Sequence, residues 1–282
     1  MLPSTAAQPS PAKRIDALFA RLTATKRKAL VTFLVGCDPD FAESLATMHA
    51  FVESGIDLIE LGYPFSDPIL DGATIQRANR RGLDSGGHLA RTLELVAAFR
   101  QTDQTTPIIL MGYSNPILAM GYAEFTRRAA EAGVDGVIAA DMPLREAGEF
   151  LDHLAAAGMV MIPLAAPTLD EADFALRPGV GGFLYCIPVV GPTGGPSASL
   201  DATRQAVERC RKATTLPILV GFGIKTPEAA ADTASVADGS VVASALIDIV
   251  RNLPPESGSS ERIRTYRESI TAFRSAIDAL SL

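Results

Sequence analysis

Residues 53–61 read ESGIDLIEL, residues 131–140 read EAGVDGVIAA, and residues 156–164 read AAGMVMIPL. In each, a small residue and a Gly precede a short apolar run. Gly adopts the left-handed conformation that ends a helix, so each stretch reads as helix, turn and incoming strand. Working outward, similar runs occur at 29–36 (ALVTFLVG), 107–112 (PIILMG), 182–187 (GFLYCI), 217–221 (PILVG) and 239–244 (GSVVAS). None alternates polar with apolar residues, as expected of strands buried on both faces. Longer segments of helical spacing lie between them, FAESLATMHAFVES and LDATRQAVERCRKA among them. Eight such units predict an α/β chain folded as a single (β/α)8 TIM barrel, with a doubly wound sheet as the alternative.

The ends are simpler. Residues 1–13 are rich in Pro, Ser and Ala and predict a disordered tail without a secretory signal. Ile15, Leu18, Phe19 and Leu22 then open an extra N-terminal helix. The polar stretch PPESGSSE, residues 254–261, is too short for an inter-domain linker, so residues 14–282 are expected to form one catalytic domain.

Composition narrows the function. The 282 residues carry 25 Lys+Arg against 32 Asp+Glu, a net charge of −7 that argues against nucleic-acid binding. No run is long and apolar enough for a membrane span, and a cytoplasmic protein is expected. Cys37, Cys186 and Cys210 contain no C-x-x-C pair, and His49, His88 and His153 are scattered, so no metal site is expected.

In a TIM barrel the chemistry lies in the loops after the strands. After the second run the chain reads Ile59-Glu60-Leu61-Gly62-Tyr63-Pro64-Phe65-Ser66-Asp67-Pro68-Ile69-Leu70-Asp71-Gly72. A carboxylate at the end of an apolar strand is costly unless it is used. Glu60 is therefore a candidate acid–base residue, with a salt bridge at the barrel mouth as the alternative. Asp71 is either its partner or a helix cap.

The string from Ile59 to Gly72 resembles the signature of the tryptophan synthase alpha chain family. Asp38-Pro39, Tyr113-x-Asn115-Pro116, Asp141-x-Pro143, Ala166-Pro167-Thr168, Gly191-x-Thr193-Gly194 and Gly221-Phe222-Gly223 extend the resemblance over residues 14–280. It implies a carbon–carbon lyase that cleaves indole-3-glycerol phosphate by a retro-aldol reaction. Glu60 would protonate C3 of the indole and accept the hydroxyl proton, while Asp71 would stabilise the indole N–H. Phe33, Tyr113, Ile138, Ala140 and Tyr185 match the family's indole pocket, with Thr193 contacting Asp71 when the loop after strand six closes. Gly194, Gly223, Ala243 and Ser244 match its phosphate site. No cofactor is implied on this chain. The implied partner is the beta chain, which carries pyridoxal phosphate, in an α2β2 tetramer contacted through Pro64 and Asp67. A stand-alone indole-releasing lyase and a catalytically weak regulatory subunit are the alternatives. Cys37, Pro188, Ala243 and Arg145 depart from the family pattern, Cys37 where Gly is usual; flexibility there is expected from Gly36.

Overall fold

A computed structural model describes residues 12–167, 177–188, 199–254 and 256–280. Its strands are β1 (Ala29–Val35), β2 (Leu58–Gly62), β3 (Ile108–Gly112), β4 (Gly136–Ala139), β5 (Val160–Met161), β6 (Leu164–Ala165), β7 (Leu184–Cys186), β8 (Ile218–Val220) and β9 (Gly239–Val242). Helices α1 (Lys13–Ala24), α2 (Phe41–Glu53), α3 (Ala73–Asp84), α4 (Leu89–Phe99), α5 (Ser114–Met120) and α6 (Tyr122–Ala132) occupy the first half. The second half carries α7 (Gly148–Ala156), α8 (Leu200–Ala213), α9 (Pro227–Val236), α10 (Ser244–Arg251) and α11 (Ser259–Asp278).

All the strand pairs are parallel, in the order β5-β4-β3-β2-β1-β9-β8-β7-β6. The two outermost pieces, β5 and β6, are consecutive in sequence. Ile162 N donates to Val137 O on one side, and Tyr185 N donates to Pro163 O on the other. One segment therefore joins both edges, and the ring closes as a barrel rather than opening as a doubly wound sheet. The fifth run, expected as one strand, is split because Pro163 has no N–H to give to a ladder.

Nearly every strand residue is buried, the exceptions being Met111, Gly112 and Leu164, which explains the missing alternation. Val31, Leu58, Ile109, Ile138, Val160, Phe183, Leu219 and Val241 fill the barrel interior. Leu30, Leu61, Leu110 and Val137 belong to the separate layer under the helices. The expected N-terminal helix is α1, and it plugs the barrel: Ile15, Leu18, Phe19 and Leu22 join the interior cluster. The helix-ending turns are as expected, with Gly55, Gly133 and Gly158 at φ of +102°, +91° and +74°. Two of the Asp residues that follow tie down strand starts. Asp57 Oδ2 accepts Leu30 N at 3.0 Å, and Asp135 Oδ2 accepts Ile108 N at 2.8 Å. Among the described residues no helix is long and apolar enough to cross a membrane.

Candidate active site

A cavity of about 570 Å³ opens at the C-terminal ends of the strands. Glu60 and Asp71 both line it, with Phe33, Met111, Ala140, Leu164, Tyr185, Ile187, Phe222 and Ala243 among the surrounding residues. The walls are mainly apolar and two carboxyl groups face inward, which suits a flat aromatic ring that must exchange protons.

Glu60 sits within β2, paired in register with Phe33 of β1 and Ile109 of β3. It is 1% exposed, and its Oε1 has no hydrogen-bond partner among the described residues. The salt-bridge alternative therefore fails. With no cation to offset it, burial alone pushes the carboxyl up to about 8. Glu60 is thus protonated at neutral pH, ready to act as an acid.

Asp71 is held differently. Tyr113 Oη donates to Asp71 Oδ2 at 3.1 Å, and Tyr113 Oη in turn accepts from Leu70 N at 3.0 Å. Burial raises the Asp71 carboxyl to about 6, with the Tyr113 hydrogen bond pulling the other way. The two carboxyls are thereby separated in acidity, one protonated and one ionised near pH 7. Asp71 is not a side-chain cap, since α3 starts from Gly72 with no capping side chain. Tyr113 is itself braced: Tyr63 Oη donates to its carbonyl at 2.7 Å, and Phe65 stacks on its ring at 5.4 Å. Tyr113 thus stands behind Asp71 rather than on the main cavity wall.

The other matched residues fall as follows. Phe33, Ala140 and Tyr185 line the cavity, whereas Ile138 is wholly buried in the barrel interior and is not on its wall. Tyr185 Oη donates to Gly221 O at 3.0 Å, an approach so close that a Cβ at Gly221 would lie 2.0 Å from that oxygen. Ala243 lines the cavity and immediately precedes α10, whose first residue is Ser244, so the N-terminal end of that helix lies at the cavity edge. Gly223 follows β8 at φ +70°. Thr193 and Gly194 lie outside the described residues.

In the loop after β2, Asp67 is exposed and accepts a hydrogen bond from Ser66 Oγ, but Pro64 is buried. Its ring packs near Gly82 and Gly87, so it shapes the loop instead of offering a surface. Cys37 also differs from expectation: the left-handed conformation falls on Cys37 itself, at φ +64°, and not on Gly36. The sequence reading missed Leu164, Ile187, Phe222 and Met111 as wall residues. Their positions at strand ends were the available signal.

Comparison with known proteins gives the family. The family model described as "Tryptophan synthase alpha chain" matches residues 19–277. A tryptophan synthase alpha chain of Caulobacter vibrioides is 51% identical over 240 residues, covering 85% of this chain and 87% of its own. That of Gluconobacter oxydans is 46% identical over 250 residues, covering 88% and 93%. The crystal structure of tryptophan synthase subunit alpha from Legionella pneumophila superposes with a TM-score of 0.86 at 36% identity, covering 95% of this chain and 99% of that one. A chain from the Mycobacterium tuberculosis tryptophan synthase structure gives a TM-score of 0.83 at 32% identity, covering 94% and 98%. A barrel closed in this order, with a buried acid and a tyrosine-held carboxylate at its mouth, and a family match over residues 19–277, place the chain in the tryptophan synthase alpha chain family.

Proposed function

We propose that Glu60 and Asp71 divide the proton transfers of the family reaction between them. The chain is a lyase of tryptophan biosynthesis that cleaves indole-3-glycerol phosphate to indole and glyceraldehyde 3-phosphate. Indole is a poor leaving group until C3 is protonated. Glu60, carrying its proton, supplies it to C3 while Asp71 takes up the charge that develops at the ring N–H. The resulting Glu60 carboxylate then removes the side-chain hydroxyl proton as the C–C bond breaks. As the C–C bond breaks its electrons return to the ring and cancel the positive charge, the nitrogen keeps its proton, and both carboxyls end as they began. The reaction needs no cofactor on this chain; pyridoxal phosphate belongs to the beta chain, with which the family forms an α2β2 complex.

The observation that carries this reading is the unpartnered Oε1 of Glu60 inside the cavity that Asp71 also lines. Its test is the pH dependence of kcat/KM. Asp71 must be ionised and Glu60 protonated, so the profile is expected to be bell-shaped, with an acid limb near 6 and an alkaline limb near 8. Activity that rises steadily through pH 9 would remove Glu60 as the acid.

The phosphate is assigned to the amides of Gly223, Ala243 and Gly194 with Ser244, and the ring to the wall of Phe33, Ala140 and Tyr185. Cytoplasmic location and a single catalytic domain over 14–282 are part of the same reading. The beta chain is assigned to the Asp67 side of the loop, with Pro64 fixing that loop from beneath. Phe65 stacks on Tyr113, which holds Asp71, so a partner pressing on this loop reaches the catalytic carboxylate through two rings. Steady-state indole release with and without a beta chain measures the coupling. Activation is expected to fall several-fold in Asp67→Ala; equal activation would disconnect Asp67 from the partner.

A further inference from the structure

Asp38, in the loop after β1, belongs to neither end of the cavity, yet it is tied to both. Arg81 Nε and Nη2 each donate to its carboxylate at 2.8 Å, a bidentate pair, and Arg251 Nη2 donates to Oδ1 at 2.8 Å. The Asp38 side chain is 6% exposed. Arg81 lies in the last turn of α3, whose first residue is two positions beyond Asp71. Arg251 ends α10, which begins at Ser244. The helices that start at the two functional ends of the cavity therefore finish on one buried carboxylate.

A second contact fixes their relative position nearer the site. Thr74 Oγ1, in the first turn of α3, donates to Asp248 Oδ1 of α10 at 2.8 Å. Beneath them Ile75, Ala78 and Ile247 pack with Phe33 and Val35 in a cluster of their own. A helix transmits displacement along its axis because its hydrogen-bonded turns are stiff, and α3 spans roughly 18 Å at 1.5 Å per residue.

We propose that Asp38 is a positioning residue for the cleavage, setting Asp71 through α3 and the phosphate-binding start of α10 through Arg251. The proposal rests on the roles given above to Asp71 and Ser244. Its particular content is a division of labour. The Arg81 tie governs proton transfer, and the Arg251 tie governs phosphate binding. Misplacement of a catalytic group by ~1 Å costs up to about 100-fold in rate, so even partial slackening should be measurable.

The test compares Arg81→Met, Arg251→Met and Asp38→Asn, each close in size to the residue it replaces, and Arg81→Lys. Steady-state cleavage gives kcat, calorimetric titration with glycerol 3-phosphate gives a dissociation constant, and melting curves report folding. Arg81→Met is expected to lower kcat about tenfold while glycerol 3-phosphate binding stays within about twofold. Arg251→Met should do the reverse, weakening binding about fivefold with kcat within about twofold. Asp38→Asn should show both effects, and Arg81→Lys should recover part of the kcat lost in Arg81→Met. Arg81→Met or Arg251→Met shifting kcat and binding together, or either lowering only the melting temperature, would overturn the proposal. Asp71→Asn tests the underlying role separately: native turnover there would fail that assignment, whatever the two ties do.

Discussion

Glu60→Gln is expected to leave no measurable cleavage of indole-3-glycerol phosphate, a loss of at least about 10³-fold, at the upper end for a single acid–base group. Gln matches Glu in shape and keeps the cavity walls in place, so substrate binding should change little. What disappears is the proton for C3 and the carboxylate that later accepts the hydroxyl proton. Among the described residues lining the cavity the other carboxyl is Asp71, which is ionised near neutrality and already engaged by Tyr113. Single-turnover indole release, read alongside substrate titration, separates the chemical step from binding. Turnover within tenfold of native would assign the acid elsewhere.

The second large effect concerns Asp71. Asp71→Asn replaces an anion by a neutral amide where positive charge develops, and a preorganised group of this kind is worth roughly 10²–10³-fold in rate. Tyr113→Phe is a milder test of the same point. It deletes the hydroxyl that donates to Asp71 Oδ2 and accepts from Leu70 N, while keeping the ring that stacks on Phe65. The rate should fall about tenfold, in line with one hydrogen bond to a charged group. The sign of the pH effect is fixed as well. The Tyr113 hydrogen bond lowers the Asp71 carboxyl, so its removal should move the acid limb of the profile upward from about 6. A downward or absent shift would mean that Tyr113 does not hold Asp71 in solution.

Much of the barrel was legible because its rules are local. Gly55, Gly133 and Gly158 announce helix ends through their own backbone preference, and doubly buried strands show as unbroken apolar runs. Glu60 was legible for the opposite reason, as the one residue in its strand that conflicts with burial. What escaped the sequence depends on contacts distant along the chain. Tyr113 lies 42 positions from Asp71, and nothing local distinguishes a ring that walls a pocket from one that holds a carboxylate. Pro64 turns inward because of Gly82 and Gly87 on a later helix and loop. The split at Pro163 could have been read, since a proline inside a run removes a ladder donor. The convergence of Arg81 and Arg251 on Asp38 could not, because it joins residues 43 and 213 positions away.

The buried carboxyl of Glu60 also reaches into the stability of the whole barrel. Its folded-state value of about 8 lies above the ordinary 4.5, so folding favours the protonated form. That favourable contribution is complete below about 4.5 and is lost as the pH rises through about 8. At pH 7 the folded chain retains a proton that the unfolded chain has released, at a cost on the order of 3 kcal/mol. Gln at this position has no proton to retain. The melting temperature of Glu60→Gln should therefore gain on that of the native chain between pH 5 and pH 8, by several degrees at about 2–4 °C per kcal/mol. The acid that makes the barrel an enzyme is, by the same desolvation, a source of strain against its own folding.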